Sequence, residues 1–211
     1  HVGLKGNLNL VTDYIVCSSF TRKAPLGAFL QGIVTVNAIY ISWGISMIQG
    51  IENRRSIRKY KADKINKELI EDMIYSATLA PSAKNRQPWK FIVYQGKEKE
   101  KLVDVMRQGI NSEKITHELM KEWAFAIPDA ENTVRIMEEA PCLIAVLNTN
   151  QKTPFEGIEN EKRIVEICDS LSIGAAIENM ILTATEHGLG TLWIANTCFA
   201  YNELVDFIKT D

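Results

Sequence analysis

The chain has little of what most catalytic centres are built from. It holds three histidines, His1, His117 and His187, scattered along its length. A histidine-based metal site would need them clustered at ligand spacing, so none is expected. The four cysteines, Cys17, Cys142, Cys168 and Cys198, are also dispersed, with no C-x-x-C pair. That pattern argues against a disulfide framework and a zinc site, and points to a reducing, cytoplasmic setting. No P-loop, G-x-S-x-G, H-E-x-x-H or kinase signature is present. Cys198 has no evident histidine partner to activate it as a nucleophile. Glu138-Glu139 falls on helix-like text and reads as a solvated face. There is no basic excess: the net charge is −2, which opposes general nucleic-acid affinity.

Charge is also missing locally. From Ala24 to Ile51 there is no charged residue. The length would admit a membrane span, with Ala24 to Ile48 as an anchor. Pro25, four glycines and several polar residues dilute the run, so a membrane association is not expected. Composition changes abruptly after Met47, and residues 1–46 are read as an N-terminal extension upstream of a natural start at Met47. The domain proper is expected over 47–211.

What is present fits a soluble domain with a real core: 46% of residues are hydrophobic and 24% charged. Ile48 and Ile51 suggest a short helix. Asn66 caps a helix from Lys67, whose stripe is Leu69, Ile70, Met73, Ile74 and Ala77. Phe91–Tyr94 reads as a strand, Lys97–Gln108 as a charged helix, and 109–139 as mostly helical with a break at Pro128. Cys142–Leu147 is a second strand. A long helix runs from about Glu161 to His187, with Ile173, Ala176, Ile177, Met180, Ile181 and Ala184 inward and Gly188 as its left-handed cap. Thr191–Ala195 is a third strand and Tyr201–Lys209 a short helix. The fold class is therefore α/β of the α+β type, a small mixed sheet sandwiched by helices.

Three stretches could carry chemistry. Arg54 to Lys61 holds five positive charges and no negative one. Arg54, Arg55, Ser56 and Arg58 can surround a compact dianion, because guanidinium forks match phosphate oxygens two at a time. A solvated basic turn is the alternative. Ala80 to Trp89 (A-P-S-A-K-N-R-Q-P-W) joins a helix end to a strand start. It offers a hydroxyl and two carboxamides, which suit a ring edge carrying both C=O and N–H groups. A plain polar turn is the alternative, with Trp89 packing beneath it. Gly188 to Ala195 turns a helix into a strand on two glycines, and a plain connection reads equally well.

The order of these stretches, R-R-S-I-R-K-Y, then A-P-S-A-K-N-R-Q-P-W-K-F, then G-L-G-T-L-W-I, resembles the nitroreductase family of FMN-dependent oxidoreductases. The resemblance covers roughly three quarters of the chain, from about Met47 to Asp211. It implies that Arg54, Arg55, Ser56 and Arg58 grip the FMN phosphate and ribityl chain. It implies that Pro81, Ser82, Ala83, Asn85 and Gln87 lie against an isoalloxazine ring, often the partner subunit's. Trp193, Ile194 and Ala195 would contact the flavin near its reactive edge. A homodimer with flavin at the interface is implied, reduced by NADH or NADPH and passing electrons to a small-molecule acceptor such as a nitroaromatic or quinone in a ping-pong cycle. No catalytic side chain and no metal is expected, since the flavin does the hydride chemistry. The family continues after the last helix with a strand and a basic tail; this chain stops at Asp211, so those contacts are expected to be missing or replaced. A flavin binder without efficient turnover, or a dehalogenating or flavin-fragmenting relative, are the alternatives.

Overall fold

A computed structural model describes residues 11–20, 48–150 and 153–208. Four strands, β1 (Val11–Phe20), β2 (Trp89–Gln95), β3 (Cys142–Asn148) and β4 (Leu189–Ile194), form one sheet in the order β2-β3-β1-β4. Each neighbouring pair is antiparallel. Among the described residues, the α-helices are α1 (Gln49–Asn53), α2 (Lys67–Thr78), α3 (Gly96–Thr116), α4 (Ile127–Glu139), α5 (Asn160–Glu186) and α6 (Tyr201–Ile208).

β3 explains the layering. All seven of its residues are buried, so its apolar run needs cover on both faces. Successive side chains point to opposite faces. Leu143, Ala145 and Leu147 pack into one cluster with Leu102, Met106 and Ile110 of α3, Val134 and Met137 of α4, and Leu204 of α6. Cys142, Ile144 and Val146 pack into another with Met73 and Ala77 of α2 and with Ile173, Ile177 and Met180 of α5. The sheet is thus sandwiched between α2/α5 and α3/α4/α6, the small sheet between helices that the sequence implied.

Helix ends follow local chemistry. Asn66 caps α2, its side chain accepting from the Leu69 amide at 3.3 Å. Gly188 closes α5 with φ +74°, and all six inward residues assigned to that helix are buried. α3 runs further than expected, to Thr116, because the stripe Leu102, Val103, Met106 continues through Gly109 and Ile110. Pro128 starts α4 rather than breaking a helix; in the first turn its missing N–H costs nothing.

The sequence reading set residues 1–46 apart from the domain. Within that stretch the structure describes one element, β1, and it lies inside the sheet. Ile15 pairs with both Ala145 of β3 and Ile194 of β4. The candidate anchor lies outside the described residues, except for Ile48. Among the described residues, no helix is long and apolar enough to cross a membrane.

Candidate functional site

β4 is the edge of the sheet, and an edge strand leaves backbone groups unpaired. The basic stretch covers it. Ser56 forms an isolated parallel bridge with Thr191, and the Ile57 amide donates to the Thr191 carbonyl at 2.9 Å. The Tyr60 hydroxyl then donates to the Ile57 carbonyl at 2.7 Å, closing the turn. Arg54 stands 4.0 Å from Glu178 of α5. Arg55 turns back on the carbonyls of Glu52 and Arg54, at 2.8 and 2.7 Å. Among the described residues, neither Arg55 nor Arg58 reaches a carboxylate. Uncompensated guanidiniums held on a strand edge suit an anionic ligand.

A cavity of about 500 Å³ opens beside them. Arg58 lines it together with Trp193, Ile194 and Ala195, so two of the sequence-assigned groups share one space. The opposite wall comes from α4 and from Met120 and Trp123, in a 3-10 segment leading into it. Its size is within the range of cofactor and small-molecule sites. On β4 the pleat splits the work. Leu192 and Ile194 face the α3/α4 core, while the Trp193 ring lies over Gly174 of α5, where an added Cβ would come within 3.6 Å of it.

The floor near Cys198 is ordered by an unforeseen residue. Glu113, buried in the last turn of α3, accepts from the Leu119 amide (3.0 Å) and the Met120 amide (2.7 Å). One carboxylate thereby fixes the start of the segment that carries Met120 and Trp123. Burial pushes the Cys198 thiol above its ordinary value of 9.0, and the Glu113 carboxylate adds to that rise. Backbone hydrogen bonds at Phe199 and Cys198 oppose it in part. At neutral pH the thiol is therefore held protonated.

The loop after α2 stands elsewhere. Pro81, Asn85 and Gln87 are exposed, Ser82 and Ala83 half-buried, and none of them lines the cavity with Arg58. Lys84, Asn85 and Gln87 all have left-handed backbones, with φ of 55°, 54° and 48°. Non-glycine residues there cost about 1 kcal/mol or more each and persist only where surroundings over-determine them. The surroundings are visible. The Ala83 amide donates to Ser172 Oγ of α5 at 3.2 Å, and the Gln87 amide to Ser82 Oγ at 3.0 Å. Arg86 donates through Nε (2.9 Å) and Nη2 (2.6 Å) to Asp169 Oδ1. Asp169 is fully buried and also receives the Asn150 carboxamide. The Gln87 and Asn85 carboxamides meet at 3.2 Å. Trp89 is half-buried against the α2/α5 cluster beneath the loop, as expected.

Sequence reasoning missed Asp169, Ser172 and Glu113. Each sits at a core position of its helix. Asp169 precedes Ile173 and Ala176 at i+4 and i+7, and Glu113 follows Met106 and Ile110 at i+7 and i+3. A charge on an apolar stripe is the signal that would have flagged both.

Comparison with known proteins agrees with this geometry. Residues 51–209 match the nitroreductase family. A protein of Archaeoglobus fulgidus is 33% identical over 144 residues, 68% of this chain and 64% of its own length. One of Methanothermobacter thermautotrophicus is 27% identical over 149 residues, 71% of this chain and 60% of its own length. Both bear the name "Putative NADH dehydrogenase/NAD(P)H nitroreductase". The chain thus spans less than two thirds of these relatives. The crystal structure of a BluB-like flavoprotein from Clostridium difficile superposes with a TM-score of 0.58 at 25% identity, covering 80% of this chain and 82% of that one.

Proposed function

Since the chain belongs to the nitroreductase family, we propose that it is an FMN-dependent oxidoreductase that takes a hydride from NADH or NADPH and reduces a small-molecule acceptor such as a nitroaromatic or quinone. The observation that carries this reading is the docking of Ser56 and Ile57 on Thr191, which sets Arg58 on the same cavity as Trp193, Ile194 and Ala195. The donor set fits the cofactor: clustered guanidiniums for a phosphate, and an apolar wall for a ring. The similar flavoprotein from Clostridium difficile supports the same choice.

Bound flavin supplies the hydride chemistry. In this reading Arg54, Arg55, Ser56 and Arg58 neutralise and orient the phosphate. Trp193, Ile194 and Ala195 wall the ring, and Met120 and Trp123 exclude water from the acceptor side. Asn85 and Gln87 serve the flavin of a second copy, which accounts for their distance from the cavity of their own chain. The homodimer rests on α5, whose Ile164, Ile167 and Leu171 are exposed at i, i+3 and i+7. Such a stripe on a helix surface is an association face. The free thiols of Cys142, Cys168 and Cys198 are consistent with a cytoplasmic setting.

Titrating the purified chain with FMN while measuring its size tests cofactor and assembly together. Stoichiometric yellow dimer, with steady NADH or NADPH oxidation on adding a nitroaromatic or quinone, is expected. Protein that stays colourless after reconstitution with FMN would refute the reading.

A further inference from the structure

We propose that Asp169 is a positioning residue for the ring-facing loop, acting through the Arg86 guanidinium to hold Asn85 and Gln87 in their left-handed, ligand-ready geometry. This rests on the flavin reading for the loop's purpose, but not for its mechanics. Burial is unequal across the pair. Asp169 is fully enclosed, whereas the Arg86 side chain keeps 29% of its surface. A carboxylate taken out of water that completely must be repaid by several donors. The donors seen come from two segments outside α5: Arg86 from the loop and Asn150 from just past β3.

The contacts also converge on the strained residues. Arg86 lies between Asn85 and Gln87, two of the three left-handed positions. Its fork donates two bonds, from Nε and Nη2, to one carboxylate oxygen, which fixes the direction of its side chain as well as its distance. One turn further along α5, Ser172 Oγ accepts from the Ala83 amide and donates to the Cys168 carbonyl at 2.7 Å. The loop's exit is tied separately: the Thr149 amide donates to the Pro88 carbonyl at 2.9 Å. Among the described residues, the exposed carboxamides between these ties have no anchor in the core but the Arg86–Asp169 bond. A pair that served stability alone would not need to sit between two strained, solvent-facing carboxamides.

The test separates positioning from stability. Asp169→Asn keeps the shape and leaves Arg86 able to turn to water. The double variant Arg86→Met with Asp169→Leu replaces the buried pair by apolar groups of similar size, a change that often restores stability. Thermal midpoint, FMN affinity and tryptic cleavage after Lys84 are measured on both variants and on the unaltered chain. The double variant is expected to melt near the unaltered chain, yet to bind FMN about tenfold or more weakly, the loss expected when carboxamide bonds to a ring are no longer aimed. Both variants are expected to be cut faster after Lys84. A double variant that recovers its midpoint, its FMN affinity and its resistance to trypsin together would overturn the proposal. If the unaltered chain fails to bind FMN, the functional reading falls, and cleavage after Lys84 alone then decides whether the bridge orders the loop.

Discussion

Gly109 lies inside α3 where that helix crosses the turn at Asn196–Ala200, and replacing it with alanine tests the crossing directly. A Cβ built there would stand 2.4 Å from Ala200 Cβ, 2.5 Å from Ala200 Cα and 2.8 Å from Glu203 Oε2. Non-bonded carbons prefer about 3.5–4.0 Å, so the overlap is roughly 1 Å or more. Glu203 can rotate away, but Ala200 Cα is backbone and cannot. Either α3 or the 196–200 turn must move. Overpacking of this kind costs about 1–3 kcal/mol or more. Alanine returns about 1 kcal/mol of helix propensity. Because the obstacle is backbone, the upper part of that range applies, about 2–3 kcal/mol, and the net loss is about 1–2 kcal/mol, which lowers the melting temperature of a chain this size by about 2–8 °C. Gly157→Ala is the control, since it has open space and no special φ. Thermal unfolding followed by circular dichroism reads both. The displaced turn carries Asn196 and Cys198 at the cavity, so FMN affinity should fall with the midpoint. A Gly109→Ala chain as stable as the unaltered one would refute the close crossing of α3 and the turn.

Arg54→Ala with Arg55→Ala should weaken FMN binding by about tenfold to a hundredfold per guanidinium lost, since each charged hydrogen bond is worth about 1.5–3 kcal/mol. Arg107→Ala, on α3 and paired with Asp104 and Glu138 away from the cavity, should leave affinity unchanged; equal effects would contradict the phosphate assignment. Glu113→Ala strands the Leu119 and Met120 amides, and at about 1–3 kcal/mol for groups left unsatisfied it should lower the midpoint. It should also raise the KM for the acceptor more than it weakens FMN, and the reverse order would show that Met120 and Trp123 do not wall the acceptor side. Cys198 should resist thiol reagents at neutral pH, because burial first, and Glu113 after it, raise its pKa from 9.0. The stability this burial contributes is present below that ordinary value and is lost as pH rises through the higher folded value. Fast labelling at neutral pH in the native chain would contradict a pKa raised by the partial burial of this thiol.

Much of this architecture was readable because local pattern and final environment agree. β3 is an unbroken apolar run and is buried on both faces. α5 shows its inward stripe residue by residue, and Asn66 and Gly188 mark helix ends through their own chemistry. Pro128 misled because the same ring that breaks a helix interior fits a first turn. Asp169 and Glu113 stand out as charges on a core stripe, but the stripe does not say what answers them: Arg86 and Asn150 in one case, the Leu119 and Met120 amides in the other. β1 was the hardest case. Val11–Phe20 is rich in β-branched residues, but nothing in it names β3 and β4 as its neighbours. The groups proposed to serve the flavin are those the family resemblance implies; how the loop is braced is not implied by it, because bracing is a tertiary property.

The sheet order has a consequence for how the chain reaches its native state. Ile15 must find Ala145 and Ile194, partners more than a hundred residues away. Pairings so distant carry a loop-closure cost before they return any stabilisation, and they slow folding. During synthesis the segment that becomes β1 emerges early and waits until β4, close to the end of the described chain, has been made. Until then β1 has an open edge, and the platform beneath the basic stretch does not exist. Assembly of the cavity is therefore a late event, and slow refolding coupled to the recovery of ligand binding is its expected signature.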